Sequence, residues 1–136
     1  MIINKLFKLS LFVLVVSMSL SCSNKEKEAE EIAVTFLDSY FKTDYETAAE
    51  LCTPELADEI ITSFKSLEAM EKGVRDMILK QTSMIKTEIT DVVPSSGKDS
   101  MIVSYKVILP EFPKGMQNRL ILVKSDNSWK VSGFGE

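Results

Sequence analysis

Histidine is absent from this 136-residue chain, so any acid–base chemistry near neutral pH falls to other side chains with shifted pKa values. The phenols of Tyr40 and Tyr105 are the leading candidates, because each sits on an otherwise apolar face and carries one polar tip, the combination that lines a ligand cavity. Trp129 fits the same description but opens a terminal strand and reads as a packing anchor. Arg119, facing a pocket, would suit a carboxylate or phosphate, although a solvated edge arginine is the commoner arrangement; Asn118 is on the opposite face of the same strand, so only one of the two looks inward. Strict alternation places Asp91 with Ile89 and Val93, yet its position just before Pro94 favours a strand-end turn. Asp38, Glu50, Glu59, Glu68 and Glu71 fall where helical periodicity turns them to solvent. Cys52 reads as a small buried hydrophobe beside Ala48 and Leu51, with no imidazole to activate its thiol.

The candidate ligand-binding residues are therefore Tyr40, Tyr105 and Arg119, with no catalytic residue, metal ligand or cofactor assigned. No glycine-rich phosphate loop, HExxH, paired CxxC or GxSxG occurs, so nucleotide hydrolysis, zinc proteolysis and nucleophile-elbow chemistry lack their local signatures. Met70, Met77, Met84, Met101 and Met116 are scattered and read as gap-fillers, because thioether coordination of copper needs sulfurs that converge.

Periodicity along the chain changes once, from helical to alternating. Ile32, Ala33, Phe36, Leu37, Tyr40 and Phe41 recur at three- and four-residue spacing and predict a long first helix. Thr43 with Glu46 fits a capping box for a short second helix. Thr53-Pro54 starts a third, with core face Leu56, Ile60, Phe64 and Leu67, that continues past Gly73 through Val74 and Ile78 with a bend or break at the glycine. From Ser83 the pattern is strand-like through Val93, and Pro94-Ser95-Ser96-Gly97 is a turn. Met101, Val103, Tyr105, Val107 and Leu109 share one face of a second strand; Pro110, Pro113 and Gly115 break the run before a third from Met116 to Lys124. Ser125-Asp126-Asn127-Ser128 turns the chain into a fourth strand, Trp129 to Phe134. The expectation is an α+β domain, N-terminal helices packed on a four-stranded antiparallel meander.

The first 31 residues follow a different logic. Lys5 and Lys8 form a charged region, Leu9 to Leu20 an apolar one interrupted only by serines, and Ser19-Leu20-Ser21 a small-residue site before Cys22: the tripartite order of an export signal. The apolar run is too short for the roughly 20 residues that span a bilayer. The domains expected are a signal peptide over 1–21, a solvated tether over 22–31 and a folded body over 32–136. Of the 16 basic residues, Lys5 and Lys8 leave with the signal, so 14 basic face 20 acidic residues in the mature chain. Such a balance excludes nucleic acid as a partner and a basic face for anionic lipid.

Ser19-Leu20-Ser21-Cys22-Ser23-Asn24 resembles the lipobox of bacterial lipoproteins, in a looser form found in lipoproteins of Bacteroidota type, with Ser19 where leucine is commonest. The resemblance implies lipid attachment at Cys22, anchorage of the protein in the cell envelope at the outer membrane, and no spanning helix; two or three acyl chains anchor durably where one is marginal. Ser19 and Ser21 equally satisfy an ordinary secretory signal, which would release a soluble protein with Cys22 unmodified.

Lys42-Thr43-Asp44-Tyr45-Glu46-Thr47-Ala48-Ala49, the order of elements and the closing Leu122-Val123-Lys124-Ser125-Asp126-Asn127-Ser128-Trp129-Lys130-Val131 look like small lipoprotein domains of the nuclear-transport-factor-2-like superfamily. That resemblance implies a cone-shaped roll, a curved sheet around a long helix. The superfamily contains both enzymes and binding modules, so two classes of function follow from it. One is a non-enzymatic envelope lipoprotein that binds a small apolar ligand or a protein partner; the other is an isomerase or dehydratase with a tyrosine and a carboxylate in the cone. A homodimer is also compatible with the resemblance.

Overall fold

The computed structural model describes residues 24–97 and 99–135; Cys22 and the expected export signal lie outside them. Residues 24–41 form helix α1, followed by α2 (Tyr45–Glu50), α3 (Pro54–Glu68) and α4 (Lys72–Ser83). Strands β1 (Lys86–Pro94), β2 (Ser100–Leu109), β3 (Phe112–Ser125) and β4 (Ser128–Gly135) then pair in sequence order, every neighbour antiparallel. The domain is thus α+β, helices first and a four-stranded meander after. Each of the three ladders contains a bulge or irregularity, which bends and twists a sheet so that it wraps what lies on one face.

What lies there is the apolar stripe of α1. Ala29, Ala33, Phe36 and Leu37 are fully buried, and they share one core with Met101, Val103, Tyr105 and Val107 of β2, Leu120 and Leu122 of β3, and Trp129 and Val131 of β4. Ala29 corrects the boundary of the expected tether. Ala29 stands one turn before Ala33, so extending the helix backward adds to an existing nucleus and lays a methyl on the same stripe. Lys25, Lys27, Glu28, Glu30 and Glu31 stay exposed around it, and the packed body starts within the segment expected to be tether.

The helix ends differ from expectation in instructive ways. Thr43 does not cap α2: it takes the left-handed conformation, φ 62°, just after α1, while Asp44 N–H donates to Ser39 O at 2.9 Å across the turn. That is the geometry of a helix C-terminus usually closed by glycine. Asp44 is the actual cap, its Oδ1 accepting from Thr47 N–H at 3.3 Å. Thr53 occupies the cap position of α3 with extended backbone, but its hydroxyl makes no capping bond. The break after α3 comes at Ala69–Glu71, before Gly73, which sits in the first turn of α4. No residue of α4 is buried; Val74 and Met77 are exposed, and only Arg75, Ile78, Leu79 and Thr82 are half-covered.

β1 begins at Lys86, not Ser83, and its phase flips at Thr90: Ile89 pairs with Tyr105, but Asp91 pairs with Ser104. One inserted residue exchanges the two faces. Val92 therefore turns inward in place of Val93, and Asp91 goes out to solvent. β3 runs from Phe112, so Pro113 and Gly115 lie within the strand, Gly115 at φ 74° where the ladder is irregular. The turn between β3 and β4 is the expected one, with Asp126 and Asn127 both at positive φ, the two-residue hairpin type that matches strand twist.

Candidate functional site

Tyr40 and Tyr105 come together, but as a part of an aromatic core. Tyr40 stacks on Phe36 at 5.7 Å between ring centroids and meets Phe134 at 5.6 Å, Phe41 at 5.3 Å and Tyr45 at 5.8 Å; Tyr45 in turn meets Phe64 of α3 at 5.3 Å. Tyr105 reaches this group from β2. Burial pushes its phenol up to about 12, with the neighbouring Tyr40 adding to the rise; burial also raises Tyr40 and Tyr45. Phenols shifted this way stay protonated and serve as hydrogen-bond donors, not bases. No Asp or Glu among the described residues is buried. Among the described residues, the tyrosines therefore have no buried carboxylate partner.

Arg119 faces outward. Leu120 and Leu122 claim the inner face of β3, so alternation sends Arg119 to the opposite side, exposed between Ser104 and Gly135 on the flanking strands. Its role as a pocket cation is thereby corrected; Asn118 is the half-buried neighbour, and its amide donates to Met116 O at 3.3 Å. Asp91 is likewise on the outer side of the bulge, its carboxylate accepting from Val92 N–H at 3.0 Å. Trp129 is buried with its ring under the Lys124 ammonium, 5.7 Å from the ring centroid. Cys52 is buried and donates to Ala48 O at 3.1 Å; burial pushes its thiol up to about 11 although Lys130 pulls the other way. No cluster of three metal-ligating side chains occurs among the described residues.

A cavity lies elsewhere, a groove of about 550 Å³ between α1 and the junction of α4 with β1. Two residues separate the last turn of α4 from β1, so the end of that helix is brought directly against the flank of α1. Leu37, Phe41 and Ile85 form an apolar floor, with Val34 at the rim. Asp38 and Lys42 close one side as an exposed ion pair at 2.7 Å, and Lys86 and Thr87 at the start of β1 close the other. The volume is within the ordinary range of small-molecule sites. The sequence marked none of these residues as a ligand-binding candidate. The available signal was the row Val34, Asp38, Phe41 along the edge of the α1 core stripe, but its exposure depends on what packs beside it. A smaller cleft of about 340 Å³ separates α3 from α4 near Phe64, Leu67 and Leu79; there Arg75 donates to Glu68 O at 3.0 Å, closing the end of α3.

No family model matches the chain, and no curated protein is similar to it. Among solved structures, a crystal structure from Streptomyces avermitilis described as a "putative dehydratase from the NTF2-like family" aligns with 81% of this chain and 93% of its own, at 13% identity and a TM-score of 0.44. That likeness is a loose agreement of chain path.

Proposed function

We propose that this chain is a lipid-anchored protein of the cell envelope, attached to the outer membrane through Cys22, whose body is a non-enzymatic module that binds a small apolar ligand or a protein partner. The address is supported by the order of Lys5 and Lys8, the apolar run and Ser19-Leu20-Ser21-Cys22. Among the described residues, no helix is long and apolar enough to cross a membrane. The observation that carries the binding role is the groove beside α1: an apolar floor with a polar rim, set apart from an aromatic core whose phenols have no buried carboxylate beside them. A concave site with an apolar floor and a few polar groups at its rim is the usual form of a small-molecule binding site.

Intact mass of the membrane-extracted protein tests the address. A chain starting at Cys22 with diacylglyceryl and acyl additions supports it; an unmodified Cys22 terminus in the culture supernatant rejects it. For the binding role, native mass spectrometry of protein purified from its own envelope is the direct measurement. A ligand of defined mass, lost when Phe41→Ser alters the groove floor, is the supporting result, and turnover of any small molecule by the purified chain would displace the reading.

A further inference from the structure

We infer that the groove between α1 and the α4–β1 junction takes an apolar body bearing one negative charge, such as a medium-chain alkanoate, with its carboxylate at Lys86. The inference rests on the binding role proposed above and names the ligand class for that site. Its basis is an account of which polar groups in the groove are already committed. Thr35 Oγ1 donates to Glu31 O at 2.9 Å, Thr82 Oγ1 to Leu79 O at 3.1 Å and Ser83 Oγ to Lys80 O at 2.7 Å. Those three hydroxyls have given their protons to helix carbonyls and can offer a ligand only lone pairs. Lys42 is held by Asp38 at 2.7 Å. Lys86 is exposed at the rim and has no ion-pair partner among the described residues. It is the one charge-bearing donor left to a ligand that reaches the floor of Leu37, Phe41 and Ile85.

The ends of α1 and α4 both lie at this groove, and a bare helix C-terminus would repel an anion. Here the terminal carbonyls are occupied. Lys42, Thr43 and Asp44 N–H groups donate to Asp38, Tyr40 and Ser39 O, and Met84 and Ile85 N–H groups donate to Gln81 and Thr82 O. With the carbonyls capped and Asp38 balanced by Lys42, the remaining charge at the rim is the Lys86 ammonium. An ammonium at the rim of an apolar floor can pair with the acidic head of an alkyl chain that lies on that floor.

The test uses residues 22–136 with Cys22→Ser, so that no acyl group is attached, and 11-(dansylamino)undecanoic acid as fluorescent probe. Decanoate is expected to displace the probe at a concentration about fivefold lower than decanol. With competition corrected for the probe's own affinity in each variant, since the probe is itself an alkanoate, Lys86→Gln should raise the inhibition constant of decanoate about fivefold and leave that of decanol unchanged, while Asp38→Asn, which frees Lys42, should lower that of decanoate about twofold. Both substituted side chains are exposed, and superposable thermal unfolding curves confirm that the fold is kept. Equal displacement by decanoate and decanol, or a Lys86→Gln protein that binds decanoate as before, overturns the charge inference while the binding role stands. Failure of the probe to bind at all, together with no co-purifying ligand, overturns both.

Discussion

Val131 of β4 and Thr53 at the head of α3 are joined backbone to backbone: Thr53 N–H donates to Val131 O at 2.9 Å, and Val131 N–H returns to Leu51 O at 2.8 Å, so the corner around Cys52 is stitched to the sheet as a single parallel bridge. Lys130 adds a third link, its ammonium donating to Glu50 O at 2.7 Å. The short α2 and the start of α3 are thereby held on the sheet by main-chain bonds as well as by apolar contact. Thr53 already has φ −62° and ψ 156°, a conformation proline accepts. Thr53→Pro should nevertheless be costly, because the ring Cδ takes the place of the donated hydrogen and is driven against Val131 O, so the loss in urea unfolding should be about 3 kcal/mol or more. Thr53→Ala, which touches no capping bond, should be within about 0.5 kcal/mol of the parent.

Two positive-φ sites predict changes of opposite sign. Thr43 holds a β-branched side chain in the left-handed region, φ 62°, so Thr43→Gly should stabilise by about 1 kcal/mol. At Gly115, φ is 74° and an added Cβ would stand 3.1 Å from Ile108 Cγ1 and 3.2 Å from Val107 O. Gly115→Ala should cost about 1–2 kcal/mol or more. Gly133→Ala is the control, since nothing lies within 4 Å of its added methyl. Chemical denaturation midpoints with unchanged slopes would establish all three.

Phe36 has no exposed surface and touches both Tyr40 and Phe134, at 5.7 and 5.9 Å between ring centroids. Phe36→Ala should cost about 3–5 kcal/mol, because the helix and the sheet both limit collapse into the space it leaves. Phe41→Ala, at a half-buried position on the groove floor, should cost less. Thermal or urea unfolding monitored at Trp129 would rank the two; equal losses would contradict the placement of Phe36 at the centre.

Stability should fall as pH rises above about 9. Burial raises Cys52 from an ordinary 9.0 to about 11 and Tyr105 from 10.0 to about 12. Between the unfolded and folded values, the unfolded chain has released protons that the folded chain keeps, so stability decreases as pH rises. Their contribution is complete below about pH 9 and disappears as pH climbs through 11 to 12. Comparing urea midpoints at pH 8 and 11, the parent should lose more than a Cys52→Ala, Tyr105→Phe protein. An equal loss in both would place the alkaline sensitivity in other groups.

The class of fold was legible because its signals are local. The stripe Ala33, Phe36, Leu37 has helical period, Met101, Val103, Tyr105 and Val107 have strand period, and Asp126-Asn127 suits the tight turn it occupies; each depends on residues a few places apart. Direction of a side chain after an irregularity was not legible. One residue inserted at Thr90 sent Asp91 outward and Val92 inward, and nothing at that position in the sequence announces the insertion. Asn118 and Arg119 were known to oppose each other, but only the packing of Leu120 and Leu122 on the core decided which faced in. The meeting of Tyr40 with Tyr105 and the groove built from Phe41, Ile85 and Lys86 join segments more than 40 residues apart. Such contacts are chosen by burial summed over the whole core, which only the folded chain settles.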